Sequence, residues 1–189
     1  MSKSLMTLST ALHYAHGFED KIKPYCEKTL IVGSIRRMER QIGDVELCVI
    51  PKYENGFNIL NLACSQIKGL VVDGDRLKRF KYDSYDLQIE LYITNPAQWG
   101  RMVAIRTGSV DFSHGKLAIT WNRRGWSGTV DGLRRKSECE KKGKVWKLKP
   151  EFKDDYTRCP EFPTEESFFE FLGIEYIEPN KRCWHFKKE

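Results

Sequence analysis

Leu5, Leu8, Leu12 and Ala15 recur at the three- and four-residue spacing of a helix face, which predicts an opening amphipathic helix that stops near Gly17. A second short helical stretch is expected before Pro24. Residues 29–32 and 45–50 are rich in β-branched and apolar side chains and read as strands with a polar loop between them, the second ended by Pro51. A helix is expected over 57–67 and a short strand over 70–72. Residues 77–82 and 85–93 read as two strands joined at Asp83-Ser84. In the second, Leu87, Ile89, Leu91 and Ile93 alternate with Asp86, Gln88, Glu90 and Tyr92, so a strand buried on one face is predicted.

Asn95-Pro96-Ala97-Gln98 combines a capping residue, a proline at the first helical position and a glutamine at the third, so a helix should start there with Trp99, Met102 and Val103 inward. Thr107-Gly108-Ser109 breaks it, and another helix is expected over 110–124, before Gly125. Residues 126–162 carry little periodic signal and read as a basic hairpin or loop region. Thr164 should cap a last helix, with Glu165 and Glu166 in its first turn and Gly173 at its end, and the tail should pack through Ile174, Tyr176 and Trp184. No internal repeat interrupts this succession of helices and strands.

Composition narrows the class: 40% hydrophobic and 31% charged residues over 189 suit an ordinary globular protein. No apolar run is long enough for a membrane span and no signal peptide is evident, so a cytoplasmic location without membrane contact is expected. The 6 cysteines form no C-x-x-C pair, which argues against zinc sites and for free thiols in a reducing compartment. Charge is uneven. Residues 101–153 hold 14 Lys/Arg against 5 Asp/Glu, whereas residues 1–100 hold 13 against 12. Lys116, Arg123, Arg124, Arg134, Arg135 and Lys136 fall in that basic segment among Trp121, Trp126 and Trp146, a pattern suited to a nucleic-acid backbone and also to a solvated basic face.

The most informative stretch is Gly33-Ser34-Ile35-Arg36-Arg37 followed by Asp44-Val45-Glu46. Two-metal phosphoryl or nucleotidyl transfer needs carboxylate oxygens around ions roughly 3.5–4 Å apart. Residues two apart on a strand share a face with a rise of about 6.6 Å, so Asp44 and Glu46 can converge while Val45, Leu47 and Val49 take the other face. Glu90 is the natural third acid if its strand lies alongside at about 4.8 Å. Gly33-Ser34 suits a tight turn against a triphosphate, with Arg37 neutralising charge and Arg36, which points the opposite way, in a surface ion pair.

These residues resemble the nucleotidyltransferases, and within them the family X DNA polymerases related to DNA polymerase beta. GSIRRMERQIGDVEL keeps the family's G-S-x-R-R and G-D-x-[DE] spacing without a gap. LQIELYITNPAQWGRMVAIRTGS is similar to the family's third-carboxylate strand, its W-G helix and its Thr-Gly-Ser turn, and RRGW, DGL and FFEFLGIEYIEPNKR are similar to its closing subdomain. The likeness covers nearly the whole chain except about 134–162 and is to the minimal viral members, without an N-terminal lyase domain. Two of the three acids are glutamates here, and Ile105-Arg106 replaces the aromatic pair before the turn.

The resemblance implies an α+β fold: a nucleotidyltransferase palm, a mixed β-sheet with flanking helices, over 1–105, and a small C-terminal α/β subdomain over 106–189 with a basic loop region at about 126–162. It implies a DNA polymerase for short-gap or repair synthesis, using a nucleoside triphosphate and a DNA primer-template as a monomer. Asp44, Glu46 and Glu90 would be catalytic and would hold two Mg²⁺ ions, with Mn²⁺ a possible substitute. Gly33, Ser34, Arg37, Gly43, Thr107, Gly108 and Ser109 would bind the nucleotide. The alternatives are a nucleotidyltransferase acting on RNA ends or protein, and a catalytically weak nucleic-acid-binding relative.

Overall fold

The structure is a computed structural model that describes residues 5–82, 87–129, 131–143, 145–153 and 155–183. Helix α1 (Leu8–Ile22) begins at Thr7, whose hydroxyl accepts from the Thr10 amide at 3.2 Å, and buries Ala11, Ala15, Phe18 and Ile22. It runs through Gly17 instead of stopping there. A single glycine costs about 1 kcal/mol against alanine inside a helix; burying Phe18 and Ile22 beyond it, at about 1.5–3 kcal/mol each, outweighs that. The helical stretch expected before Pro24 is a 3-10 turn, Lys23–Tyr25, continuing directly from α1. Short strand β1 (Met6–Thr7) precedes the helix and pairs with β3 (Gln41–Ile42).

A five-stranded sheet has the order β2 (Cys26–Ile31), β4 (Val45–Pro51), β9 (Leu87–Ile93), β8 (Leu77–Tyr82), β7 (Leu70–Asp73). β4 and β9 run parallel and every other pair antiparallel, so the sheet is mixed and the chain is α+β. Between β4 and β7 lie a small pair, β5 (Tyr53–Glu54) with β6 (Phe57–Asn58), and helix α3 (Ile59–Ser65), shorter than expected because Asn58 caps it by accepting from the Leu60 amide at 3.0 Å.

On one face of the sheet Leu47, Val49, Ile89 and Leu91 pack with α1. On the other, Cys48, Ile50 and Tyr92 pack with Trp99 and Val103 of helix α4 (Trp99–Thr107). β9 is therefore buried on both faces, including Glu90 and Tyr92, and not on one as its alternation predicts. Its central position explains this: strands flank it on both sides and α4 covers its polar-looking face.

Asn95 caps a 3-10 turn, Pro96–Gln98, that leads into α4. Gly100 lets α4 lie against the chain at 162–164: its amide donates to the Phe162 carbonyl at 2.7 Å, and a Cβ there would meet the Thr164 carbonyl oxygen at 1.8 Å. Beyond α4, a π-helical segment, Phe112–Ala118, continues into α5 (Ile119–Arg123). The weakly patterned 126–162 stretch contains two hairpins, β10 (Trp126–Gly128) with β11 (Leu133–Arg135) and β12 (Cys139–Lys142) with β13 (Val145–Leu148). Helix α6 (Glu165–Leu172) carries the expected Thr164 cap and a left-handed Gly173 at its end, φ 64°.

Phe112, Trp121, Trp126, Phe162, Phe168 and Phe169 form a second core, against which Ile174 and Tyr176 pack. α4 serves both cores, Val103 to the sheet and Ala104 to this aromatic cluster, so the boundary expected at 105/106 falls inside a shared helix. Asp83-Ser84, Asp86, Lys144 and Trp184 lie outside the described residues. Among the described residues no helix is long and apolar enough to cross a membrane, and all six cysteines are free thiols.

Candidate active site

The N-terminal end of β4 carries the acidic pair. β2 leads through Val32 into the four-residue helix α2 (Gly33–Arg36), and the Val32 amide donates to the Glu46 carbonyl at 2.9 Å. Gly33 has φ +66°, and a Cβ there would lie 2.0 Å from Glu46 Oε2. Only glycine lets the turn rest on that carboxylate. Asp44 immediately precedes β4 and Glu46 is its second residue, in direct register with Glu90 across the parallel β4–β9 pair.

A cleft of about 350 Å³ opens here, walled by Ser34, Arg37, Asp44 and Glu46 on one side and by Arg106, Gly108 and Ser109 at the end of α4 on the other. Gly33, Gly43 and Thr107 are not among the residues that line it. Thr107 is fully buried, its hydroxyl accepting from Arg36 Nη1 at 2.7 Å and its carbonyl from Arg37 Nη1 at 2.8 Å.

Negative charge crowds Glu46 within the cleft. Burial, then the Asp44 and Glu90 carboxylates, push the Glu46 carboxyl up to about 7, against a smaller opposing pull from the Arg106 guanidinium and the Tyr92 hydroxyl. Glu90, by contrast, is saturated by protein donors. Its Oε1 accepts from Arg79 Nε at 2.8 Å, Arg79 Nη2 at 2.7 Å and Gln88 Nε2 at 2.8 Å, and its Oε2 accepts from the Tyr92 hydroxyl. Burial and that bond push the Tyr92 hydroxyl well up from its ordinary value, so it stays a donor. Arg106 lies over the Tyr92 ring at 3.7 Å, and its buried Nε has no partner among the described residues. Among the described residues, no three His, Cys, Asp or Glu side chains stand ready to hold a metal ion. Glu90 is in register with Glu46 but does not line the cleft, and Arg79 on β8 holds its carboxylate.

Arg36 makes the expected ion pair, in the interior instead of at the surface. Its Nη2 donates to Glu165 Oε2 at 2.5 Å, and the other Glu165 oxygen accepts from Arg182, which is fully buried. The α2 turn is thereby tied to α6 and to the chain just beyond it.

The basic segment divides by exposure. Arg123, Arg124 and Arg135 are exposed, and Lys116 and Lys136 are half-buried. Arg134 is a correction to the expected nucleic-acid surface: it is fully buried and donates from Nη1 to the Asp155 carbonyl at 2.6 Å. Its neighbour Arg135 points outward and stacks on Trp126 at 3.9 Å, the alternation a strand imposes.

Arg79, Tyr92, Arg106, Glu165 and Arg182 escape the sequence reading. Tyr92 was within reach of it, since it shares a strand face with Glu90, whereas Arg79 needs the β8–β9 register and Arg182 needs the tertiary fold. Neither a scan against protein-family models nor a search of curated proteins matches the chain.

Proposed function

We propose that this chain is a nucleotidyltransferase of the DNA polymerase type, adding nucleotides from nucleoside triphosphates to a DNA primer 3′-hydroxyl. The observation that carries the reading is the juxtaposition of Asp44 and Glu46 with a glycine turn packed on Glu46, facing a cleft that Arg37, Gly108 and Ser109 complete. The motif resemblance supports the same assignment, with a palm over 1–105 and a closing subdomain over 106–189.

In this reaction the hydroxyl attacks the α-phosphorus in line and pyrophosphate leaves. Ser34 and Arg37 hold the terminal phosphates, and Gly108 and Ser109 border the nucleoside. The donor set fits divalent ions at Asp44 and Glu46, where neighbouring carboxylates raise the Glu46 carboxyl and an added cation would relieve them. Glu90 fits once it exchanges Arg79 for an ion. Bound Mg²⁺ or Mn²⁺ supplies phosphate neutralisation and a more acidic primer hydroxyl. The exposed arginines at 123, 124 and 135 contact the DNA backbone.

Primer extension on gapped, nicked and single-stranded DNA, with each nucleotide and with Mg²⁺ or Mn²⁺, tests the proposal. Asp44→Ala and Glu46→Ala should each abolish incorporation in a folded protein, a loss of several kcal/mol of transition-state stabilisation. Near wild-type turnover in either variant overturns it. The Arg79–Glu90 pair favours one second reading, a nucleic-acid-binding relative with little catalysis; DNA binding without saturable Mn²⁺ binding would select it.

A further inference from the structure

A second cleft, of about 260 Å³, opens at the opposite end of α4. Thr94, on its wall, lies four residues past Glu90 along β9, about 13 Å from the acids at the rise of a strand. Gln98 and Arg101 face it from the start of α4, Arg76 comes from the turn before β8, and Asp131 from the β10–β11 turn.

Arg101 is the unusual group. It is only 6% exposed, yet among the described residues its guanidinium makes a single hydrogen bond, from Nε to Gln98 Oε1 at 2.8 Å. Gln98 is itself fixed, donating from Nε2 to the Pro160 carbonyl at 2.8 Å, so it holds the arginine in place without neutralising it. Neither terminal nitrogen of Arg101 has an acceptor among the described residues, and the residue lines the cleft. The nearby acidic groups, Cys159 and Asp131, compensate only in part. Asp131 is taken by Arg76 at 2.6 Å, and burial pushes the Cys159 thiol up, so it stays neutral. Burial, with the positive Arg76 and Arg106 nearby, lowers Arg101 to about 10, the mark of a cation that would be stabilised by an anion. A buried, immobilised guanidinium whose two terminal nitrogens are unpaired beside a cavity suits a tetrahedral oxyanion, which it can bind by paired hydrogen bonds.

We propose that this cleft is a phosphate-binding site, anchored by the Arg101 guanidinium with the Thr94 and Asn95 side chains as further donors, separate from the acidic cleft. The same chemistry is offered by a phosphate of a nucleic-acid strand and by free phosphate or a nucleotide. Asp75 on the rim and the Arg76–Asp131 pair leave the wall near neutral, so recognition comes from Arg101 at short range and not from a long-range field.

NMR of the full chain, following the side-chain amides of Asn95 and Gln98 and the Arg101 Nε–H, tests this. Inorganic phosphate and a single-stranded oligonucleotide lacking terminal phosphate are titrated separately. Saturable shifts at these signals are expected; a response to inorganic phosphate identifies a free-anion site, and one to the oligonucleotide alone a backbone subsite. Arg101→Gln should weaken the response at least tenfold, whereas Arg37→Gln, in the other cleft, should leave it unchanged. Absence of saturable shifts in the wild-type protein overturns the proposal whether or not Arg101→Gln folds, as does an unchanged response in folded Arg101→Gln. Failure of primer extension would leave this result untouched.

Discussion

Glu46 and Glu165 are both sheltered glutamates, and their surroundings treat them in opposite ways. Glu165 sits between Arg36 and Arg182, each of its oxygens bonded to a guanidinium. Glu46 sits between Asp44 and Glu90, with more negative charge on either side. The first arrangement cancels charge and joins distant parts of the chain. The second concentrates charge next to an open cleft, where a proton or an added cation can relieve it. Complementarity of the neighbours, more than burial, separates a carboxylate that holds the fold from one available for chemistry.

The strongest way to break this contrast is to remove Glu165. Glu165→Ala leaves Arg182, fully buried, and Arg36 without their shared acceptor, and breaking a buried pair from one side costs about 3–5 kcal/mol. Urea unfolding at pH 7 should register a loss of that size. A loss below about 1 kcal/mol would mean that Glu165 is no more structural than an exposed acid.

Glu46→Gln should move stability the other way, and only in part of the pH range. The Glu46 carboxyl is raised from an ordinary 4.5 to about 7, so between those values the folded chain keeps a proton that the unfolded chain has released. The Glu46 contribution to wild-type stability therefore falls as pH rises from 4.5 to 7 and levels off above it. Glutamine removes that fall, and the variant should exceed wild type by up to about 3 kcal/mol at about pH 8 while matching it below about pH 4.5. Denaturant titrations at about pH 4 and about pH 8 measure the difference; equal gains at both would assign the effect to packing instead of charge.

The two glutamates also mark what the sequence could reveal. Asp44-Val45-Glu46 was legible because a two-residue strand period fixes which side chains share a face, and the β4–β9 neighbourhood does align Glu46 with Glu90. Local signals with a short physical range held: the Thr164 cap, the Asn95 cap and the Gly173 stop. What failed depended on distant partners. Gly17 did not end α1, because burial of Phe18 and Ile22 beyond it decides the matter. The alternation in β9 could not disclose that α4 would cover its other face. Glu165 had a sufficient local explanation in the helix dipole, which concealed its role between two arginines drawn from residues 36 and 182.

Arg79 offers a smaller adjustment. Among the described residues it alone supplies an ion pair to Glu90, so Arg79→Met should leave that carboxylate without a cation, with only its Gln88 and Tyr92 hydrogen bonds, and bring its surroundings closer to those of Glu46. If Asp44, Glu46 and Glu90 hold divalent ions together, Mn²⁺ affinity followed by electron paramagnetic resonance should rise about tenfold, equivalent to about 1.4 kcal/mol. Unchanged affinity would restrict the ion site to Asp44 and Glu46 and leave Glu90 as the partner of Arg79.

The smallest effect on the folded chain is expected where charge is merely exposed. Neutralising Arg123, Arg124 and Arg135 together should change stability by no more than about 0.5 kcal/mol, since surface substitutions away from buried networks lie in that range. If these side chains meet a DNA backbone, the slope of log affinity against log salt should nevertheless flatten by about 0.9 for each phosphate no longer neutralised, equally across DNA sequences. Arg134→Gln is the internal control: one residue from Arg135 but fully buried and bonded to the Asp155 carbonyl, it should leave the salt slope alone and lower stability. Salt titrations of both variants decide the matter. A flattened slope in Arg134→Gln, or an unaltered one in the triple variant, would show that exposure does not sort the structural from the DNA-facing arginines.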